Sequence, residues 1–158
     1  MPLTFKLRVE GGRKKMIRKM KQNEIDEIGD IWLNGNLEAH PFVDKEYWIN
    51  YLDDVKKQFK QADIYVYDEQ GIKGFAGLMD NYIAGIFVKK EFRGHSIGKK
   101  LLDYLKQHYD KLSLEVYEKN YKARKFYQRN DFKVSVEDIE PDNNEKEYQL
   151  VWTKEIKS

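Results

Sequence analysis

Apolar positions change their spacing several times along the chain, and each change marks an element. Ile25, Ile28, Ile31 and Trp32 recur at helical spacing and predict a helix over about 24–35, with Asn23 as its cap and Gly35 near its end. Pro41 disfavours helix at His40 and predicts a bend. Tyr47, Trp48, Tyr51, Leu52, Val55 and Phe59 predict a second helix over 45–60. Short apolar or alternating runs at 17–20, 63–67, 72–79 and 82–88 predict four strands, and Asp68–Gly71 and Asp80–Asn81 the turns of an antiparallel meander. Residues 83–88 are apolar throughout, which predicts a strand covered on both faces. Gly85 inside that run predicts a bulge or a close backbone approach.

From Ile97 the period lengthens again. Apolar residues at 97, 101, 102, 105 and 109 predict a helix over 96–109, and the alternation in 112–117 predicts a strand after it. Strand, helix, strand is a crossover and predicts a parallel pair. Asn120 is placed to cap a helix over 121–129. Strands are predicted at 132–136 and 148–153, with Pro141-Asp142-Asn143-Asn144 breaking the chain between them. The sum is one α/β domain over 16–158, with a mixed, mostly antiparallel central sheet and about four flanking helices. Residues 1–15, with Gly11-Gly12-Arg13-Lys14-Lys15, break this pattern. They predict a peripheral N-terminal extension, either a leader or an extra strand in which Leu3, Phe5, Leu7 and Val9 alternate.

Composition narrows the class. A chain of 158 residues, 41% apolar, is long enough for one domain with its own core. A net charge of +2 from plentiful charges of both signs argues against a dedicated nucleic-acid binder. With no cysteine there is no disulfide, thiolate zinc site or cysteine nucleophile, which suits a cytoplasmic protein. No apolar stretch is long enough to span a membrane, and the N-terminus has no signal-peptide core.

The candidate chemistry lies where the fourth strand meets the third helix. A helix N-terminus offers unpaired N–H groups and a partial positive charge. Gly94 and Gly98 leave its backbone open to close approach, and Lys89, Lys90, Arg93, Lys99 and Lys100 surround it with cations. These features predict a pocket for a phosphorylated ligand and no metal site. Two familiar patterns fit this loop poorly. Gly94-His95-Ser96-Ile97-Gly98 reads as the G-x-S-x-G of serine hydrolases, but the sole downstream histidine, His108, is about three turns along the same helix. A phosphate-binding P-loop needs one more residue between the glycines and a hydroxyl where Lys100 stands.

A third pattern fits better. Phe87-Val88, then Arg93-Gly94-His95-Ser96-Ile97-Gly98 and Leu101-Leu102, resembles the acetyl-CoA signature of the GNAT N-acetyltransferase superfamily, R/Q-x-x-G-x-G/A after a strand. Ser96 stands where the family carries its middle glycine, and Ser is a good helix cap, so its hydroxyl is expected to cap the helix or bond a phosphate. Leu114-Glu115-Val116-Tyr117, Asn120, Ala123, Phe126-Tyr127 and Phe132 resemble the C-terminal motif of the same superfamily. Asp131 replaces its usual glycine, and tolerates a positive φ better than most residues. Ala39-His40-Pro41-Phe42 with Tyr47-Trp48 further resembles a bacterial subgroup that acetylates protein lysines or small amines. The likeness covers about residues 16–153.

That resemblance implies a division of labour. The backbone of Phe87 and Val88 pairs with the pantetheine arm of acetyl-CoA, the co-substrate. Arg93, Gly94, His95, Ser96, Ile97, Gly98 and Lys99 hold its pyrophosphate, and Asn120 anchors the arm. Tyr127 is the expected acid: a phenol near ~10 can hydrogen-bond the departing thiolate, whose thiol lies near ~8.5, and hand it a proton. A lysine-like amine near ~10.4 must first lose a proton, to Glu115, His40 or water. Phe42, Tyr47, Trp48 and Tyr51 either line the acceptor pocket or form the core face of the second helix. The expected partner is an amine-bearing acceptor, a small molecule or a protein lysine, for a monomer or homodimer. A module that binds CoA without turnover is the alternative.

Overall fold

The computed structural model describes residues 16–155; the predicted extension over 1–15 lies outside them. Strands β1 (Ile17–Lys19), β2 (Asp63–Asp68), β3 (Ile72–Met79), β4 (Tyr82–Val88), β5 (Lys111–Tyr117), β6 (Lys133–Glu140) and β7 (Glu145–Thr153) form one sheet. Their order is β1-β2-β3-β4-β5-β7-β6. Helices α1 (Ile25–Ala39), α2 (Lys45–Phe59), α3 (Ile97–His108) and α4 (Tyr121–Arg129) flank it. All neighbouring strands run antiparallel except β4 and β5, so the mixed, mostly antiparallel architecture expected from the sequence is the one observed.

Two apolar layers sandwich the sheet. On one face Ile28, Ile31, Val55 and Phe59 of α1 and α2 pack on Ile64, Val66, Ile72 and Phe75. On the other, Ile97, Leu101, Leu102 and Leu105 of α3 pack with Tyr127 of α4 against Leu112, Leu114, Val116 and Leu150. The alternation of β5 puts Leu112, Leu114 and Val116 into this second layer and turns Ser113, Glu115 and Tyr117 the other way.

Some elements differ from the sequence reading. Helix α1 runs four residues past Gly35, to Ala39, and Asn23 sits inside a 3-10 turn (Gln22–Glu24) instead of capping it. Strands β6 and β7 are longer than predicted and close on each other as a hairpin around 141–144. Their extra residues are mostly charged, so no apolar pattern marked them. Strand β4 is not covered on both faces: Ile83 is buried, Ala84 is exposed, and 85–88 are half-buried.

That last difference has a structural cause. β4 and β5 pair only at Tyr82 and Ser113, after which they part. On its other side β4 stays paired to β3 up to Gly74 and Val88, with one irregularity: Gly77 faces Gly85 and Leu78 faces Ile83, leaving Ala84 as a bulge. Beside the bulge the Phe87 ring stacks on Phe75, with centroids 5.3 Å apart. A Cβ on Gly85 would sit 2.4 Å from that ring, and one on Gly35 would sit 2.6 Å from it. Phe87 is therefore held in a slot that only two glycines leave open.

Gly85→Ala is expected to destabilise the fold by about 1–3 kcal/mol, because the new Cβ would push the ring out of its stacking on Phe75. Urea denaturation of the variant checks this, and an unchanged midpoint would contradict the wedge.

Candidate active site

The parted strands leave the β5-facing backbone of β4 without a strand partner beyond Tyr82. Phe87 and Val88 stand at the open end of that gap, paired to Phe75 and Gly74 on the β3 side only. Phe126 of α4 lies at the gap too, since a Cβ built on Gly98 would meet its ring at 3.7 Å and Val88 at 3.8 Å. Those are ordinary contacts, so nothing within the protein excludes a side chain at Gly98.

Between β4 and α3 the chain makes a 3-10 turn (Lys90–Phe92) and an exposed loop through Arg93, Gly94, His95 and Ser96. Gly94 has φ +85° and Ser96 φ +63°, both left-handed. Ser96 occupies the cap position of α3, yet its side chain makes no capping bond. The expected capping role is therefore not observed. The left-handed backbone turns the residue away, and explains why glycine suits this place. The N–H groups of Ile97, Gly98 and Lys99 open the helix without intrahelical acceptors. Arg93 pairs with Glu38 of α1 and donates from Nε to the Val88 carbonyl at 3.3 Å. Lys99 bonds Asp103, and Lys89 bonds Glu27. Ser96 and His108 stand at opposite ends of α3, about 18 Å apart along its axis, so they cannot form a catalytic pair.

Tyr127 is 7% exposed, its ring edge-on to Phe126 and Phe132. Burial pushes its phenol well above the usual tyrosine range, and the nearby Tyr82 adds to the shift. Asn120 caps α4 through Oδ1, which accepts from the Ala123 N–H at 3.3 Å. Its Nδ2 lies 3.3 Å from Nε2 of His40. An amide donor there makes Nε2 the acceptor and places the imidazole proton on Nδ1. His40 is stacked on Trp48 at 5.1 Å and edge-on to Phe42 and Tyr117. Burial lowers its pKa to about 4, against a smaller opposing effect from the Asn36 backbone. His40 is thus neutral at physiological pH and joined to α4, and does not stand free as a base.

The apolar and aromatic residues of α2 divide. Val55 and Phe59 belong to the core, while Tyr47, Trp48 and Tyr51 gather with His40 and Phe42 outside both apolar layers. The β6–β7 hairpin closes over this group. Tyr47 donates to Asp142 at 2.9 Å, and Tyr117 donates to Glu140, which also accepts from the Asn143 amide at 2.8 Å. Burial would raise Glu140, but the Tyr117 and Asn143 hydrogen bonds overcome it and hold it below the usual carboxylate range.

Next to this hairpin is a set of residues that the sequence reading missed, apart from Glu115. Tyr82 donates to Glu115 at 3.3 Å, and Glu147 lies diagonally across from Glu115 on the same face of the sheet. Burial, then Glu115, raise Glu147 to about 7. Register alone could have paired Tyr117 with Glu147, had the start of β7 been legible. Among the described residues no cluster of three or more His, Asp or Glu could hold a metal ion, and no helix is long and apolar enough to cross a membrane.

Comparisons with known proteins agree with this geometry. A family model described as an acetyltransferase (GNAT) domain matches residues 60–134, which contain the parted strands, the loop and α4. The peptidyl-lysine N-acetyltransferase YiaC of Escherichia coli (strain K12) is 34% identical over 122 residues, covering 75% of this chain and 84% of that protein. The solution structure of apo-form YjaB from Escherichia coli has a TM-score of 0.77 at 23% identity, covering 88% of this chain and 97% of that one. The crystal structure of a PaiA N-acetyltransferase from Thermoplasma acidophilum in complex with coenzyme A has a TM-score of 0.66 at 17% identity, covering 84% and 96%.

His40 makes stability depend on pH. Its folded pKa of about 4 lies below the ordinary histidine value, so the unfolded chain binds more protons between the two. The stabilisation is complete above pH 6.5 and is lost as pH falls toward 4, by about 2 kcal/mol between pH 7 and 5. Glu147, raised to about 7, acts in the opposite sense over the same window, so the wild-type slope alone mixes the two. The difference in slope between wild type and His40→Gln, from urea melts at pH 7 and 5, is expected to show the histidine's share.

Proposed function

This chain belongs to the GNAT acetyltransferase family, and from that premise we propose that it transfers the acetyl group of acetyl-CoA to a primary amine, with peptidyl lysine the favoured acceptor. The relatives named as peptidyl-lysine N-acetyltransferases support that choice of acceptor. The single observation that carries the donor side is the gap between β4 and β5, which pair only at Tyr82 and Ser113.

Each end of that gap has a task. The N–H groups from Gly94 to Lys99, at a helix start ringed by cations, suit a diphosphate. The free edge of β4 at Phe87 and Val88 suits the amide-bearing arm, which adds to the sheet as another strand does. The Val88 carbonyl is engaged by Arg93 Nε at 3.3 Å, so binding through that oxygen shares it or turns the arginine away. Asn120 keeps one amide hydrogen beyond its contact with His40, available to the arm. Its firmer duty is to fix the start of α4, and with it Tyr127.

Tyr127 supplies the acid. Burial keeps its phenol protonated at any physiological pH, which is the form the departing sulfur needs. The amine nitrogen attacks the thioester carbonyl directly, the carbon–sulfur bond breaks, and the phenol proton goes to the thiolate. No acyl-enzyme is required.

A free-thiol assay with acetyl-CoA and lysine-bearing peptides tests the activity. Tyr127→Phe is expected to lower kcat about 10²-fold with KM for acetyl-CoA little changed. An unchanged kcat would remove the acid role from Tyr127. Ser96→Gly is expected to stabilise the protein by about 1 kcal/mol through relief of the left-handed backbone, while leaving turnover in place. Loss of turnover in that variant would return the serine to the chemistry.

A further inference from the structure

Two lysines of the chain are held alike and differ in the face of the sheet they occupy. Lys119 Nζ stands 5.4 Å from the centroid of the Phe42 ring and 3.1 Å from the Glu145 carboxylate. Lys146 Nζ stands 5.4 Å from the centroid of the Tyr148 ring and 3.5 Å from the Glu118 carboxylate. Their side chains are 51% and 40% exposed, so solvent access does not separate them.

The faces decide what each can meet. Tyr148 belongs to the apolar layer under α3 and α4, and strand alternation puts Lys146 on that side. Glu145 alternates with Glu147, which stands opposite Tyr117, and so lies on the other side. There Phe42 is edge-on to His40 and Tyr117, with ring centroids 5.7 and 5.5 Å away. Lys119 therefore rests its ammonium on a ring and a carboxylate of the proposed acceptor side, the contacts an incoming lysine would take. Connectivity ties it to the donor side as well. The next residue is Asn120, which contacts His40 and caps α4, the helix that carries Tyr127.

We propose that Lys119 is acetylated by the active site of its own chain. The proposal rests on the acetyl-transfer reading above and adds a modification site to it. An ion pair and a ring contact at a half-exposed side chain are weak, so the ammonium leaves them readily. A tethered amine one residue from Asn120 meets the thioester at a high effective concentration. The ammonium gives one proton to water, and the freed nitrogen lone pair forms a bond to the thioester carbonyl carbon. The carbon–sulfur bond breaks, and Tyr127 protonates the sulfur. The second nitrogen proton restores the phenol. The sum is one Nε-acetyl-lysine, one CoA thiol and one released proton. The amide carries no charge, so the product loses its hold on Glu145 and the Phe42 ring, and transfer ends at one acetyl group per chain.

Peptide mapping by mass spectrometry, after the full chain has stood with acetyl-CoA and no other amine, tests this. Lys119 is expected to be modified about tenfold faster than Lys146, or more. The urea-unfolded chain is expected to show no such preference. The Lys119 rate is expected to stay the same when the protein is diluted, because donor and acceptor belong to one molecule. Lys119→Arg is expected to lose the modification and keep its turnover of lysine-bearing peptides. Equal modification of Lys119 and Lys146 in the folded chain, or a Lys119 rate that falls on dilution, overturns the proposal. With peptides still acetylated, either result leaves the acetyl-transfer reading standing. No transfer to Lys119 or to any peptide overturns both.

Discussion

The parting of β4 from β5 after one residue pair is the constraint on which the rest depends. A sheet gains by continuing to pair, and a backbone polar group left buried without a partner costs about 1–3 kcal/mol. Here the gain is forgone over the second half of β4. Three packing features hold the strands apart. The bulge at Ala84 interrupts β4, the Phe87 ring is wedged against Gly35, Gly85 and Phe75, and Phe126 and Val88 both border Gly98 at the start of α3. The gap is half-exposed, so its free backbone groups are open to solvent. The same parting lets α3 begin beside the gap and lets α4 present Tyr127 from within the apolar layer.

Small residues in this region serve two separate ends. Gly85 and Gly35 are small because a ring of the protein itself occupies their space. Gly98 is small although the protein would accept a Cβ there at ordinary contact distance, so internal packing does not account for it. Asp131, at φ +72°, and Ser96, at φ +63°, hold left-handed positions where glycine would be unstrained. An isolated left-handed residue costs roughly 1–2 kcal/mol, less for Asp, so two such substitutions are tolerable in a fold with two well-packed apolar layers.

Much of the fold was legible because periodicity reports burial. Strands β3 and β4 and helix α4 have the bounds that spacing predicted, and Asp131 adopts a positive φ, which Asp tolerates better than most residues. The misses share one cause. The outer parts of β6 and β7 are held by backbone pairing at a sheet edge, with Glu137, Asp138, Glu140, Glu145 and Lys146 in place of apolar residues. A strand with no buried face leaves no apolar alternation to read. The all-apolar β4 failed in the reverse direction, since Ile86, Phe87 and Val88 border an opening that no single-sequence pattern distinguishes from a core.

The two sides of the proposed site are written in different chemical languages, and this decides how far each could be read. The donor side is mostly backbone: a helix start, a free strand edge and the turn between them. Backbone sites leave glycines, small residues and one fixed local spacing, all within 87–99. The acceptor side is built from side chains brought together by long-range pairing. Tyr47 meets Asp142, His40 meets Asn120, and Glu115 meets Tyr82. Each of those residues has an ordinary surface or core explanation when taken alone. Only the register of β5 on β7 and the closure of the hairpin over α2 bring neutral histidine, aromatic rings and carboxylates to one place. Those contacts also join α2, α4 and the hairpin, so on the proposed reading a change in acceptor preference acts on several elements at once, while the donor end belongs to one loop.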